Sequence, residues 1–433
     1  MNYNINYNYL RPKKADRLKE WYSRPFECRD DLEAYTYSDA TILPLKQFEN
    51  DSVQFGRGGV VTENGEYVDK SSIEARVYGS YEVENCCEKD EKVVYCGYLI
   101  NHWGHFLVEA ICRLWYFLEN DDSVDKYVFF LQENEERQIK GNYKEFFELL
   151  GVFDKLEIIN KPTKYREVIV PELSYKARTY YSEEFKRIFE TVAANVTAAE
   201  DWEKYEKIFL TRSQLKKAQK YEFGMEAVDS FFRNNGYKII SPEKISLSEL
   251  IFLIRNASDC ASVSGSLPHN MLFANDMQKL TIVEREVLNN DFQVDFNRVK
   301  NFSVTYIDAH IALYPVNFSG PFIMFCEGEL KKYAQAHKMQ PPDKKYCTEK
   351  YINKCFKKYI KKYLNEYGYQ WYMMDWYIQY NHIGYIYEAY QDGAEYFADY
   401  INRRKPIFIY QFFSLSSVKR FIKSVLKGNR RGK

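Results

Sequence analysis

Apolar residues along this chain fall into two recurring patterns from residue 90 onward. Continuous β-branched and aromatic runs, KVVYCGYLI (92–100) and KYVFFLQ (126–132), are typical of buried parallel strands. Between and after them, apolar residues recur at helical spacing over 105–120 and 143–152, which predicts two helices. LEIIN and REVIVPE then predict two further strands. This alternation predicts a doubly wound α/β domain.

The same alternation begins again after a polar segment at 176–205, which predicts a long bridging helix. Helices are predicted at 222–236 and 246–258, between the predicted strands KIFLTRS, YKIISPE, DCASVSGS, KLTIVER and FSVTYID. The predicted fold is therefore α/β, with two Rossmann-like doubly wound domains that face a cleft. The first domain, with its bridging helix, is predicted at 1–195, and the second at 196–320.

Residues 321–433 differ in composition: they are rich in Tyr and Lys, and their hydrophobic pattern is mostly helical. They predict a C-terminal helical extension that packs back on the domains, or alternatively an aromatic surface on which sugars stack. The tail SSVKRFIKSVLKGNRRGK has an apolar face flanked by basic residues. Such a helix is either a solvated terminal helix or a contact with an anionic membrane surface.

Composition narrows the class of protein. The chain has 433 residues, enough for two or three domains, and its 61 Lys+Arg balance 61 Asp+Glu, which argues against a dedicated nucleic-acid binder. Nine irregularly spaced cysteines without a CxxC pair fit free thiols in a reducing compartment. The polar N-terminus is unlike a signal peptide, and no apolar run is long enough to cross a membrane. We expect a cytoplasmic protein, peripheral on the inner membrane face if the tail binds there.

The stretch NHWGHFLVEAICRLW follows the first predicted strand and carries His102, His105, Glu109 and Arg113. In a helix, the last three share one face. A metal site would use His102, His105 and Glu109 as ligands, although the spacing matches no recognised zinc motif. A structural interpretation has His105 as a cap and Glu109–Arg113 as an ion pair. The favoured interpretation is catalytic, with one imidazole as general base and Glu109 orienting it.

Two later turns suit oxyanions. LTRSQ presents Thr211, Arg212 and Ser213 directly after a strand, and arginine suits bidentate contact with phosphate. SVSGSLPHN forms a turn in which glycine permits close backbone approach and the following helix start favours an anion. Two such turns in one α/β domain suggest a diphosphate, as in a nucleotide.

The order of these motifs resembles the family-61 glycosyltransferases, and most closely the bacterial branch associated with capsular polysaccharide synthesis. The pattern H-x-x-H-F-L-x-E…R-L-W is followed by T-R-S, P-E-x-x-S-L-x-E and G-S-x-x-H-N-x-L-F, over roughly 90–285. The resemblance implies a GT-B fold and inverting, metal-independent transfer. It also implies a nucleotide-sugar donor, expected to be a UDP-sugar, and a glycan or lipid-linked glycan acceptor.

The resemblance also implies residue roles. Arg212 and Ser213 would contact the diphosphate, with Thr211 in the same turn. The phosphates and sugar would be held by Ser264, Gly265, Ser266, His269 and Asn270. Glu243 would lie near the base or ribose, and Glu284 would bind ribose hydroxyls. His102, His105 and Glu109 would face the acceptor, with His105 as the expected base. A non-catalytic scaffold and a metal-dependent hydrolase remain as alternatives.

Overall fold

The computed structural model describes residues 3–367 apart from short gaps at 50, 52, 54, 74–76, 121–123, 287–289, 311–319 and 327. In chain order the strands are β1 (Ile5–Tyr9), β2 (Glu27–Cys28), β3 (Ala34–Lys46), β4 (Arg57–Val61), β5 (Cys87–Tyr98), β6 (Lys126–Phe130), β7 (Leu156–Ile159), β8 (Thr163–Pro171), β9 (Tyr175–Lys176), β10 (Tyr180–Tyr181), β11 (Lys207–Leu210), β12 (Glu222–Phe223), β13 (Lys238–Ile240), β14 (Asp259–Val263), β15 (Lys279–Glu284), β16 (Ser303–Asp308) and β17 (Phe322–Ile323).

The α-helices are α1 (Pro12–Ser23), α2 (Trp103–His105), α3 (Trp115–Asn120), α4 (Asn142–Leu150), α5 (Glu183–Ala194), α6 (Ala218–Tyr221), α7 (Met225–Asn234), α8 (Leu247–Asn256), α9 (Asp291–Val299), α10 (Glu329–Ala336) and α11 (Glu349–Tyr367). A π-helical segment covers Phe106–Ala110. Short 3-10 helices cover Asp69–Ser71, Phe153–Lys155, Pro242–Lys244, Leu267–Phe273 and Lys344–Tyr346. Among these residues, no helix is long and apolar enough to cross a membrane.

The first sheet has the strand order β4-β3-β8-β5-β6-β7. Strands β8, β5, β6 and β7 run parallel to one another. At one edge, β3 pairs antiparallel with both β8 and β4. Val93 and Val94 of β5 are fully buried, as expected for a parallel strand covered on both faces. The strands predicted between 92 and 172 are confirmed, and so is α4, which ends at Gly151 with a φ of 90°.

The second sheet is parallel throughout, in the order β1-β16-β15-β14-β11-β13. Its five later strands and the helices α7 and α8 were predicted and are confirmed. The edge strand β1 was not predicted as part of this sheet, because the predicted limits placed residues 1–195 in the first domain. Ile5 pairs with Val304 of β16, and Leu18 of α1 is buried in the core of this second unit. The N-terminal segment therefore lies with the second sheet.

The two sheet-containing units pack directly on each other. One apolar cluster includes Phe106 and Phe146 from the first unit together with Phe273 and Phe296 from the second. The bridge α5 (Glu183–Ala194) also packs into this cluster and is shorter than the helix predicted over 176–205. The α/β class with parallel sheets is confirmed.

The described part of the C-terminal extension is mostly helical and also contains the short strand β17. α10 packs against β1 and β16, and α11 packs against β12 and β17. The prediction that this extension packs back on the second unit is confirmed for residues 329–367. The basic tail and nearly all of the aromatic stretch lie within 368–433, outside the described residues.

Candidate active site

The segment after β5 forms a helix that contains a wide turn. The chain is α-helical over Trp103–His105, π-helical over Phe106–Ala110 and α-helical again only from Trp115. The Ile111 N–H donates to the Phe106 carbonyl oxygen, five residues earlier, at 3.3 Å. The prediction of one continuous helix over 105–120 was therefore wrong, because apolar periodicity does not reveal a single inserted residue. Such π segments occur frequently at functional sites.

The wide turn directs Arg113 into the interior. Its guanidinium is fully buried and donates to three backbone carbonyl oxygens, including those of Pro171 at 3.0 Å and Lys70 at 2.8 Å. It also lies 5.1 Å from the ring centre of Tyr95. The predicted ion pair between Glu109 and Arg113 is thus wrong, because the π segment shifts the helical register between the two side chains. Arg113 anchors this segment to the first unit.

His105 and Glu109 form a close pair. His105 Nδ1 lies 3.2 Å from Glu109 Oε2, and the two side chains are 32% and 9% exposed. The His105 ring also meets Phe292 edge-on, with ring centres 6.2 Å apart. A carboxylate at Nδ1 favours the tautomer with its proton on that nitrogen, which leaves Nε2 as an acceptor. The more exposed end of this pair therefore has the chemistry of a general base.

The histidine motif of the first unit touches the SGSLPHN motif of the second. Trp103 Nε1 donates to Asn270 Oδ1 at 2.8 Å. Gly104 lies so close to Ser266 that a Cβ on the glycine would be 2.6 Å from the serine Cβ. Glycine is required at position 104 because any side chain would force the two units apart. The two motifs, predicted on separate domains, meet at one place.

His102 lies beside this contact and is exposed. Its ring centre is 4.9 Å from that of His105. Burial lowers the pKa of His102, and charge on His105 and Arg212 lowers it further, whereas Glu109 raises it. The charge on Arg212, in the predicted phosphate-binding turn, therefore acts on His102, one of the predicted acceptor-side histidines.

The turn Ser264–Ser266 lies at the carboxyl end of β14. Gly265 has a φ of 113°, and a Cβ on it would be 2.6 Å from Arg285 Nη2. Ser264 Oγ accepts from the Arg285 N–H at 3.1 Å, and the Gly265 carbonyl oxygen accepts from Asn290 Nδ2 at 2.9 Å. The left-handed glycine and the tightly packed guanidinium make this turn a positively charged edge of the sheet.

His269 and Asn270 are both buried. His269 Nδ1 lies 2.9 Å from Gln293 Oε1, so this nitrogen donates and Nε2 is the acceptor. Asn270 uses its carbonyl for Trp103 and its amide for the Leu267 carbonyl oxygen at 2.7 Å. These two side chains hold the interface between the units, and their contact with phosphate or sugar stays a prediction.

In the LTRSQ turn, some side chains are buried and structural, whereas others are accessible. The buried Thr211 donates its hydroxyl to Asp229 Oδ1 at 2.7 Å, and the Ser213 N–H donates to Thr211 Oγ1 at 3.2 Å. Arg212 Nε lies 3.1 Å from Glu222 Oε1 with 19% of its side chain exposed. Burial and Arg285 lower the pKa of Arg212, whereas Glu222 and the exposed Glu243 raise it. Arg212 is the member of this turn that is placed to meet an anion.

Comparison with known proteins bears on this same region. Residues 103–283 match the Glycosyltransferase 61 family model. The match begins at Trp103 and ends within β15, so it contains His105, Glu109 and both oxyanion turns, and it covers less than half of the chain. A search of curated proteins gave no significant match. The Glycosyltransferase 61 match indicates glycosyltransferase activity.

One predicted donor contact, just beyond the matched residues, is engaged in a buried ion cluster. Glu284 is 2% exposed, and its Oε2 lies 3.0 Å from Lys14 Nζ. Lys14 also lies 3.4 Å from Asp308 Oδ1. The ammonium thus joins two strand ends in a buried ion cluster, and the role of Glu284 in binding ribose stays a prediction.

Sequence reasoning missed Arg285 and Glu222. A signal existed for Arg285, because it directly follows the buried run KLTIVE at the end of a strand, as Arg212 follows KIFLT. No signal existed for Glu222, which lies in the two-residue strand β12. Among the described residues, no group of three or more His, Cys, Asp or Glu side chains is arranged to bind a metal ion. The proposed ligands His102, His105 and Glu109 do not form such a group.

Acidification is expected to destabilise the protein through His269. Burial lowers its pKa to about 4, although the hydrogen bond to Gln293 opposes this. An unfolded histidine has a pKa of about 6.5, so stability falls as pH drops from about 6.5 to 4, by at most about 3 kcal/mol. Urea unfolding of the wild type and of His269→Gln across this range measures the effect. Equal losses in both proteins would contradict this assignment.

Proposed function

We propose that the protein is an inverting glycosyltransferase. It moves a sugar from a nucleotide sugar, expected to be a UDP-sugar, to a hydroxyl of a glycan or lipid-linked glycan acceptor. The setting we propose is bacterial capsular or surface polysaccharide synthesis, on the cytoplasmic side. The family match supports the transferase activity. The resemblance of the motifs to the bacterial branch supports the setting.

The observation that carries this proposal is the meeting of the two motifs. The helix that holds His105 and Glu109 touches Ser266 through Gly104, and Arg212 and Arg285 lie at the neighbouring strand ends. The proposed base and the proposed anion site are thus adjacent, one from each unit. The proposed GT-B arrangement would use the two units as acceptor and donor sides of one reaction centre.

The chemistry needs a base and a site for the leaving group. His105 Nε2 takes the proton of the acceptor hydroxyl as its oxygen attacks C1 of the sugar, and Glu109 stabilises the resulting imidazolium. The bond between C1 and the diphosphate oxygen breaks on the opposite face, which inverts C1. Arg212 and the Ser264–Ser266 turn receive the departing negative charge. The arginine supplies this charge stabilisation without a divalent cation, so we propose metal-independent transfer.

Donor binding tests the proposal directly. A thermal-shift screen against UDP-, GDP-, CMP- and dTDP-sugars is expected to raise the melting temperature with one nucleotide class, because that ligand binds the native state. Arg212→Gln is expected to remove most of this shift, since it deletes the cation of the turn. Arg166→Gln is the control, because Arg166 is 55% exposed and pairs with Asp90 on the first sheet.

Three kinds of outcome separate the proposal from its alternatives. A shift with no nucleotide sugar, or an equal shift in wild type and Arg212→Gln, would contradict the proposed donor site. Donor binding without sugar transfer to any acceptor would favour a non-catalytic scaffold. Transfer that survives exhaustive EDTA treatment would exclude a metal-dependent reaction at His102, His105 and Glu109.

A further inference from the structure

Two arginines, Arg285 buried and Arg212 half-buried, share one carboxylate beside the Ser264–Ser266 turn. Arg212 Nε and Arg285 Nη1 lie 3.1 Å and 2.5 Å from the same oxygen, Glu222 Oε1. The side chains of Arg285 and Glu222 are 6% and 3% exposed. Glu286 lies 3.7 Å from Arg285, and burial raises its pKa to about 7, so it is only partly ionised at neutral pH. The two arginines and the two glutamates thus form one ion cluster.

The same cluster contains polar atoms that the described residues leave unsatisfied. Arg212 Nε and Arg285 Nε are buried and make no well-aligned hydrogen bond to any residue that the structure describes. Buried N–H groups are normally paired, and unpaired ones call for an explanation such as an unobserved ion. Two neighbouring guanidinium groups, each with an Nε that is close to a carboxylate but not aligned with it, fit an anion that has several oxygens.

Arg285 also lies against the turn that receives phosphates in the proposed function. Its Nη2 would be 2.6 Å from a Cβ at Gly265, and its own N–H donates to Ser264 Oγ at 3.1 Å. We propose that Arg285 binds the diphosphate of the donor together with Arg212, a role that rests on the proposed function. Arg285 lies just beyond residue 283, where the family match ends, so the match does not supply it.

The C-terminal extension positions this second arginine. The ring centre of Phe322 lies 4.4 Å from the Arg285 guanidinium carbon, which is cation–π geometry. Phe322 belongs to β17, which pairs in parallel with β12, the strand that carries Glu222. α11 packs against both strands, and Tyr351 on α11 donates to Glu226 Oε2 at 2.6 Å. Phe322 is therefore a positioning residue, contributed from outside the family match.

Inorganic pyrophosphate tests the arginine pair independently of base and sugar. Calorimetric titration is expected to show binding to the wild type, and Arg285→Ala is expected to weaken it about 10- to 100-fold, because charge-assisted hydrogen bonds are lost. Arg285→Lys is expected to recover only part of the loss, since an ammonium lacks the planar fork. Arg166→Ala removes an exposed arginine of the first sheet and is expected to bind like the wild type.

Phe322 variants test the positioning role and remain informative if Arg285→Ala fails to fold. Phe322→Leu keeps apolar bulk without a ring and is expected to weaken pyrophosphate binding about three- to tenfold. Phe322→Tyr keeps the ring and is expected to bind within about twofold of the wild type. Equal affinities for Phe322→Leu and the wild type would overturn the positioning role.

The outcomes also separate this inference from the proposed function. If Arg285→Ala binds pyrophosphate like the wild type while His105→Ala abolishes transfer, the Arg285 role is wrong and the transferase proposal stands. If Arg285→Ala loses pyrophosphate but the wild type transfers no sugar, the diphosphate site stands and the transferase proposal fails. A wild type that binds no pyrophosphate overturns the site.

Discussion

Replacing His105 with alanine is expected to lower kcat for sugar transfer by about 10²- to 10⁴-fold, the usual contribution of a positioned general base. The reason is that Glu109 holds Nδ1 at 3.2 Å and leaves Nε2 to take the acceptor proton. Donor affinity is expected to change little, because the phosphate-binding groups belong to the other unit. Steady-state kinetics and the nucleotide thermal shift measure these two effects separately.

Two companion variants test which group is the base. Glu109→Gln removes the charge that stabilises the imidazolium, so kcat is expected to fall. His102→Ala is expected to lower kcat less, because Glu109 approaches His105 rather than His102. If His102→Ala loses more activity than His105→Ala, the roles of the two histidines are exchanged. Near wild-type turnover in His105→Ala contradicts the assignment.

Replacing Lys14 with methionine is expected to destabilise the fold by about 3–5 kcal/mol, the usual cost of removing one partner of a buried ion cluster. Lys14 is 4% exposed and lies 3.0 Å from Glu284 and 3.4 Å from Asp308. It also donates to the Glu286 carbonyl oxygen at 2.5 Å. Methionine of similar length leaves two buried carboxylates without this cation. Urea unfolding at pH 7 measures the loss.

The matched control lies on the same helix. Lys19 pairs with Asp16 at 3.0 Å, but both side chains are more than half exposed, so Lys19→Met is expected to change stability by less than about 0.5 kcal/mol. Burial raises the pKa of Asp308, but Lys14 and Arg11 outweigh it and hold that pKa below its usual range. The stability from Asp308 is therefore present above about pH 4 and is lost as pH falls further. A loss under about 1 kcal/mol in Lys14→Met would contradict the role of this cluster.

Much of the fold follows from local sequence, because buried parallel strands are continuous apolar runs. The apolar runs at 92–100, 126–132 and 279–285 correspond to the strands β5, β6 and β15 in the structure. The strand β1 lacks such a run, although Tyr3, Ile5 and Tyr7 alternate with polar residues and pack against one core. Its partner β16 is about 300 residues away, and no local pattern specifies that pairing.

Site residues could be predicted from the sequence only where a polar or charged side chain, or a turn glycine, comes after a strand. His105 follows β5 of the first sheet, whereas Arg212 and Gly265 follow β11 and β14 of the second, whose parallel strands bring their carboxyl ends to one edge. Arg285 shares that position, directly after the end of β15. Glu222, Phe322 and Lys14 come from distant, short or polar segments, so their contacts depend on tertiary packing. The π segment that buries Arg113 also has no signature in hydrophobic periodicity.

The most direct test of the central claim is the release of nucleoside diphosphate from a nucleotide sugar in the presence of glycan acceptors. The purified chain is incubated with each nucleotide sugar of the panel, with and without EDTA, and both the diphosphate and the new glycoside are quantified by chromatography. We predict release from one donor class, matched mole for mole by a glycoside of inverted anomeric configuration, and unaffected by EDTA. A product that retains the donor's anomeric configuration, or a chain that binds donor but releases nothing, would contradict the account.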